Sequence, residues 1–362
     1  GDDYTPEISG LISHTFFDDT VGILVNGNYS ERDSGQAFAQ NTAWLERESS
    51  AIPDNGLQTN PPQEGDIVAL PQQIIYQTED FERTRANAQI TLQWRPMETM
   101  ELTLDYTYAE FELDRRFNNM SIWFSPTGQS GTWSDGPVVS PLIFSEFDNQ
   151  PDFPMGAGID ASRNERDSTG FNFKWDVLDN LSVFADYHDS TAKREPNSRF
   201  GSSAVISAAS FARESASVDW RPDIPTTTTV ASDPLSPDDM QITGSVFDNE
   251  WAEMDIKQAQ FGGQFRFNDE RTSIDFGISI LEMDNFESSS NVQRNTWGQN
   301  QASAFGSIAD LVVPASLKGV YDDISGGGKV QNNFFLFDMA AVAERAELLQ
   351  NLPEGDSWHL PT

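Results

Sequence analysis

RTRANAQITLQWRPMETMELTLDYTYAEF, residues Arg83 to Phe111, is the stretch on which the fold turns. From Ala86 the side chains alternate. Ala86, Ala88, Ile90, Leu92 and Trp94 fall on one face, and Asn87, Gln89, Thr91, Gln93 and Arg95 on the other. Pro96-Met97-Glu98-Thr99 interrupts the pattern with turn chemistry, because Pro fixes φ near the value a tight turn needs. Alternation then resumes, with Met100, Leu102, Leu104, Tyr106 and Tyr108 opposing Glu101, Thr103, Asp105 and Thr107. A period of two in two runs joined by a tight turn predicts a β-hairpin. Each run is about 9–11 residues long, the length that crosses a bilayer at a tilt. Its aromatics sit at the ends of the apolar face, Trp94 by the turn and Tyr106 and Tyr108 far from it. That is the layout of a membrane-facing strand with an aromatic girdle at each interface. A two-layer sandwich also alternates, so repetition of the pattern is what separates the two.

Three further hairpins follow the same plan. In the first, about residues 7–33, Val21, Ile23, Val25, Gly27 and Tyr29 alternate with polar residues after the turn Asp18-Asp19-Thr20; its other strand, Ile8 to Phe17, is apolar on both faces. The second is about 83–111. The third, about 168–190, sets Phe171, Phe173, Trp175 and Val177 before Leu178-Asp179-Asn180, then Leu181, Val183, Ala185 and Tyr187. The fourth, about 258–286, sets Phe261, Gly263, Phe265 and Phe267 before Asn268-Asp269-Glu270-Arg271, then Thr272, Ile274, Phe276, Ile278 and Ile280. Trp94, Trp175 and Phe267 stand just before turns; Tyr29, Tyr108 and Tyr187 close the far ends. The hairpins recur roughly every eighty residues, with short turns on one side and connections far beyond ordinary loop length on the other. Outer-membrane barrels have this asymmetry, with short periplasmic turns and long extracellular loops. The expected fold is therefore all-β: an antiparallel transmembrane β-barrel section of about eight strands with long extracellular loops. Residues 287–362 lose the period of two and read as a loop region with a short helix near 338–350, for which Asp338 is the N-cap and Pro353 the stop.

Composition narrows the function. The chain has 362 residues and a formal net charge of −35, which makes nucleic acid a poor partner, since a phosphate backbone needs a basic footprint. It has no Cys, so disulfides and thiolate metal sites are excluded. No run of about 18 apolar residues offers a transmembrane helix. A mean hydropathy of −0.49 is compatible with a membrane barrel, where only alternate strand residues face lipid. Gly1-Asp2-Asp3-Tyr4 lacks signal-peptide character, so the chain is expected to be an internal piece of a longer exported protein.

The alternating strands resemble those of the TonB-dependent outer-membrane receptors, in the large branch associated with oligosaccharide uptake. The likeness lies in Arg85 with Ile90-Thr91-Leu92-Gln93-Trp94-Arg95-Pro96, in Leu102-Thr103-Leu104-Asp105-Tyr106-Thr107-Tyr108, and in the shorter Phe173-Lys174-Trp175 and Leu181-Ser182-Val183-Phe184-Ala185-Asp186-Tyr187. It covers the four hairpins, somewhat under half the chain. The resemblance implies a 22-stranded barrel in a Gram-negative outer membrane, plugged by an N-terminal domain that is absent here. It implies partners in outer-membrane lipid and the TonB energy-transducing complex, and a small-molecule or oligosaccharide ligand, with an oligosaccharide ranked above a siderophore. No catalytic role and no cofactor follow from it. A passive porin or a small structural outer-membrane barrel is the alternative.

Candidate chemistry is sparse. His188 shares a face with Asp186, and Asp189 is next to it. Such a pair can do acid–base work, and some outer-membrane barrels are hydrolases, but a polar lumen residue is the simpler reading. His14, His188 and His359 are too scattered for a metal site. Asp238-Asp239 and Asp322-Asp323 lack the spacing of a calcium loop. Seven loop tryptophans suit either loop cores or stacking on sugar rings; Trp123 and Trp133, set among Gly, Ser and Asp, are the candidates for ligand contact. Arg115 and Arg116, where the second hairpin is expected to leave the membrane, suit a polar or acidic ligand or neighbouring carboxylates.

Overall fold

A computed structural model describes residues 4–125, 129–147, 152–231, 233–267, 272–293 and 307–350. The chain is all-β and built on one large antiparallel sheet. Its strands are β1 (Glu7–Phe16), β2 (Val21–Asn41), β3 (Gln73–Met97), β4 (Met100–Trp123), β5 (Phe153–Leu178), β6 (Leu181–Pro196), β7 (Ser203–Ser210), β8 (Gln241–Arg266) and β9 (Ser273–Gln293). Each long strand pairs with its neighbours in sequence, giving a meander from β1 to β9. β6 and β7 share one lane between β5 and β8. The break between them is made at Gly201, whose φ of 99° belongs to the left-handed region that glycine enters without strain. Among the described residues, β1 and β9 are paired on one side only.

The short connections are Phe17–Thr20, Glu98-Thr99 and Asp179-Asn180. In the first, Phe17, Asp18 and Asp19 all take positive φ, and the Thr20 N–H donates to the Phe17 carbonyl at 3.2 Å. The fourth expected turn, Asn268 to Arg271, lies outside the described residues.

The strands outrun the limits marked by alternation. The segments 34–41, 73–82, 112–123, 153–167, 191–196, 241–257 and 287–293, expected in loops, are paired strand. Alternation fades there because both faces are polar or covered, while the backbone ladder continues irrespective of side-chain polarity. The remaining connections also carry strands. Gln58–Thr59, Ser130–Trp133, Pro141–Phe147, Arg213–Asp219 and Thr226–Ala231 form a five-stranded sheet, and Trp44–Glu48, Ile67–Pro71 and Val138–Val139 a three-stranded one. They pack into a cap whose core includes Val68, Leu70, Trp133, Phe144 and Val218.

Register aligns the apolar positions of neighbouring strands. Ile23 lies opposite Leu92, Leu92 opposite Leu104, Leu104 opposite Phe171 and Phe171 opposite Tyr187. Near the turns none of the described residues covers this face: Leu92 is 43 % exposed, Leu104 48 % and Ile278 66 %. β1 joins it through Ile8, Ile12 and Phe16, which settles the side that its sequence left open. Farther from the turns the same face is buried. Met120, Met155, Ala157 and Ile206 keep the phase of Leu104 and Phe171 but lie under residues 307–350. There a two-stranded ribbon, Val312–Ala315 with Phe334–Phe337, precedes helix α1, Met339–Gln350. The Phe335 N–H approaches the Met155 sulfur at 3.1 Å, and the Phe337 N–H donates to Asn118 Oδ1 at 3.3 Å. Asp338 caps α1 by accepting from the Ala341 N–H at 2.8 Å, and Val342, Ala343 and Ala346 are buried. Among the described residues no helix is long and apolar enough to cross a membrane.

Candidate functional site

The opposite face of the large sheet is polar, and its side chains bond across strands. Asn26 donates to Gln89 Oε1 at 3.0 Å, Asn87 to Asn28 Oδ1 at 2.7 Å, Asn172 to Asp186 Oδ2 at 2.9 Å and Gln264 to Asp275 Oδ1 at 2.8 Å. Arg95 pairs with Glu101 at 2.7 Å. This face holds a cavity of about 600 Å³ over β3, β4, β5, β6, β8 and β9, which makes it the concave side of this stretch. Its floor is small, at Ala109, Ala192 and Ala252; Arg85, Asn164 and Arg166 stand among the residues around it. Small residues between long ones make a depression without bending the backbone.

Charge is unevenly divided between the two faces of this stretch, though each carries both signs. Alternation puts Glu110, Glu112, Glu165, Asp167 and Asp189 on the side that carries Tyr29, Tyr108 and Tyr187. Each of those tyrosines donates to the carboxylate two residues on: Tyr29 to Glu31, Tyr108 to Glu110 at 2.7 Å and Tyr187 to Asp189 at 3.1 Å. The concave side carries Arg32, Arg83, Arg85, Arg115, Arg166 and Arg194, with Glu7, Glu79, Asp160, Glu250 and Glu287 among them, while Arg163 and Lys193 stand with the carboxylates of the tyrosine side.

The four candidate ligand residues separate. Trp133 is 2 % exposed, packs edge-on against Phe144 and donates its indole N–H to Gln58 Oε1 at 2.9 Å. It has no free face for a ligand, and this expectation is corrected: the surrounding Gly and Ser shape the cap around the ring, with Gly131 so close that a Cβ would lie 2.8 Å from it. Trp123 is 41 % exposed at the end of β4. Arg115 is tied between Glu79 and Asp160 on the concave side. Arg116 points the other way, beside Asp114 at 3.3 Å. The two adjacent arginines, read together from sequence, therefore serve opposite faces.

His188 lies on the concave side with its Nδ1 3.5 Å from Ser168 Oγ. Asp186 accepts from Asn172, and among the described residues no carboxylate bonds to the imidazole. Trp94, Trp175 and Phe267 are all exposed on the apolar face. Asn164, Arg166 and Ala109 were not legible as a site, because only the register between β3, β4 and β5 brings them beside Arg85. The one sequence signal was an arginine, Arg166, between two carboxylates that alternation must place on the other face.

Compared with family models, with curated proteins and with solved structures, the chain matches none.

Proposed function

We propose that the chain is a section of a TonB-dependent outer-membrane receptor and takes part in uptake of a scarce ligand, an oligosaccharide in preference to a siderophore. The observation that carries this is the slant of the two aromatic rows. Followed through register, Tyr29 on β2 stands opposite Lys193 on β6, whereas Tyr187 lies six residues nearer the turn, four strands away. Trp94 on β3 stands opposite Phe261 on β8, and Phe267 again lies six residues nearer the turn, four strands away. With a rise of about 3.3 Å per residue and about 4.8 Å between strands, six positions over four strands is a slant of about 45°. Strands in outer-membrane barrels tilt by about 35–45°. Two parallel rows at that slant become two level girdles once the strands tilt, which is what the two surfaces of a bilayer require and a sandwich does not.

The uncovered face between the rows supports the same conclusion. An apolar surface extending across eight lanes of sheet is far larger than water-exposed proteins leave bare. It ends where Glu31, Glu110 and Asp189 receive the tyrosine hydroxyls, and the apolar face beyond is covered by protein again. Among the described residues β1 and β9 offer unpaired edges, which a spanning sheet closes through further strands. The polar concave face is suited to a lumen wide enough for a plug or water. A cell lacking the gene, grown and fed in turn on oligosaccharides and siderophores, is expected to lose uptake of one of them and to miss one band from its outer-membrane fraction. Unchanged uptake throughout, with the protein in the aqueous fraction, sinks the proposal. A passive porin would instead conduct without the TonB complex.

A further inference from the structure

We infer that the concave face binds an anionic, hydroxyl-bearing solute, and that Arg85 and Arg166 grip its oxyanion groups. The inference rests on the uptake proposal for its setting and goes beyond it in naming the ligand chemistry, a carboxylated or sulfated oligosaccharide.

The first observation is electrostatic. The chain holds 57 acidic residues against 22 basic ones, so an arginine without a carboxylate is unexpected. Three concave-face arginines are conventionally paired: Arg32 with Glu7, Arg115 with Glu79 and Asp160, and Arg194 with Glu250. Among the described residues, Arg83, Arg85 and Arg166 have no carboxylate within 4 Å. Arg83 bonds Ser34 Oγ and lies over the Phe81 ring; Arg85 lies over Phe111, 5.0 Å from its centre. Arg32 and Arg83 are moreover direct cross-strand partners, an opposition of like charges that costs stability. Glu165 and Asp167 flank Arg166 in sequence, yet alternation holds both on the far side of the sheet.

The second observation is geometric. Arg85, Phe111 and Asn164 stand in one register row, and Asn87, Ala109 and Arg166 in the next. The two arginines thus occupy opposite corners of a patch two strand spacings wide, about 10 Å. Asparagines occupy the other corners, and Ala109 leaves the middle open. Guanidinium forks bind carboxylate or sulfate oxygens bidentately; the asparagine amides suit hydroxyls. The patch borders the cavity of about 600 Å³ and lies beyond Tyr108 as seen from the turns, on the side of the long connections. A solute arriving from that side meets it first.

The test is calorimetric titration of the full chain in detergent micelles with three probes: alginate-derived uronate oligomers, sulfated carrageenan oligomers and neutral dextran oligomers. Binding of one or both charged probes is expected, with no binding of dextran, and the two charged arms tell carboxylate from sulfate. Arg166→Gln and Arg85→Gln are each expected to weaken it about tenfold or more, as loss of a charge-assisted pair does. Arg116→Gln, on the other face, is the control and leaves it unchanged. Arg166 is exposed with no ion-pair partner among the described residues, so its replacement does not endanger the fold. Equal affinity for dextran, no binding of either charged probe, or full affinity in both arginine variants overturns the inference. Insertion into lipid vesicles is scored on the same preparations. A protein that inserts but binds no anion refutes only the ligand assignment, whereas one that stays in the aqueous phase refutes the uptake proposal.

Discussion

Arg213 and Glu146 face each other at 3.3 Å inside the cap, each with its side chain 2 % exposed. Glu146 also accepts from the Ser125 N–H at 2.6 Å, and Asp152 stands 3.7 Å from the guanidinium. The pair joins Pro141–Phe147 to Arg213–Asp219, neighbouring strands of the five-stranded sheet. Removing one partner leaves the other buried and charged. Arg213→Met is therefore expected to destabilise the cap by about 3–5 kcal/mol, and Arg213→Met with Glu146→Leu by much less. Limited proteolysis of the connections between the long strands measures both. A double variant as damaged as the single one would show that the pair contributes more than its mutual neutralisation.

The same pair gives the cap a pH dependence. Burial pushes the Glu146 carboxyl above its ordinary range and pulls the Arg213 guanidinium below its own, so for both groups desolvation outweighs mutual attraction. A carboxyl whose pKa is raised by folding binds its proton in the folded state before the unfolded chain does. Its contribution to stability therefore rises as pH falls from neutrality through the folded pKa, and is complete below the unfolded value of about 4.3. Proteolytic protection at pH 5 relative to pH 7.5 is expected to be greater in the native protein than in Glu146→Gln. An equal ratio in the two proteins would contradict it.

Trp133 and Trp123 lie ten residues apart in sequence but differ in role. Trp133→Ala opens a large cavity in the cap core and is expected to cost about 3–5 kcal/mol. Gly131→Ala presses a methyl against the same ring and is expected to destabilise in the same direction. Trp123→Ala, at a half-open position, is expected to fall well short of either. Urea unfolding followed by tryptophan fluorescence of the cap ranks the three, and a Trp123 variant as unstable as the Trp133 variant would contradict the assignment.

Leu92 and Gln93 are neighbours on opposite faces of β3. On the proposed membrane reading, Leu92→Arg, one pleat from the Trp94 girdle, is expected to reduce the stability of the lipid-inserted protein by about 1–2 kcal/mol, between the cost of a cation at the interface and at the midplane. Gln93→Arg, facing the polar side, is expected to change it little. Folding into vesicles, titrated with urea, gives both values. The sign carries the information: were the face around Leu92 bathed in water, Leu92→Arg would improve solubility and leave stability nearly unchanged.

Alternation in Ala86 to Trp94 and Met100 to Tyr108 is local information, because a pleated strand sends successive side chains to opposite faces whatever surrounds it. That was enough to place the paired strands of the four hairpins, the three short turns among the described residues and the apolar side of seven long strands, and Asp338 marked the start of α1 for the equally local reason that a carboxylate caps a free N–H. The slant of the aromatic rows, the burial of Trp133 and the company of Arg85 and Arg166 depend on register between strands and on contacts between connections far apart in sequence. Backbone ladders continue where side-chain alternation stops, so the outer halves of the strands, and the concave site built on them, were fixed by pairing in three dimensions and by nothing a single segment carries.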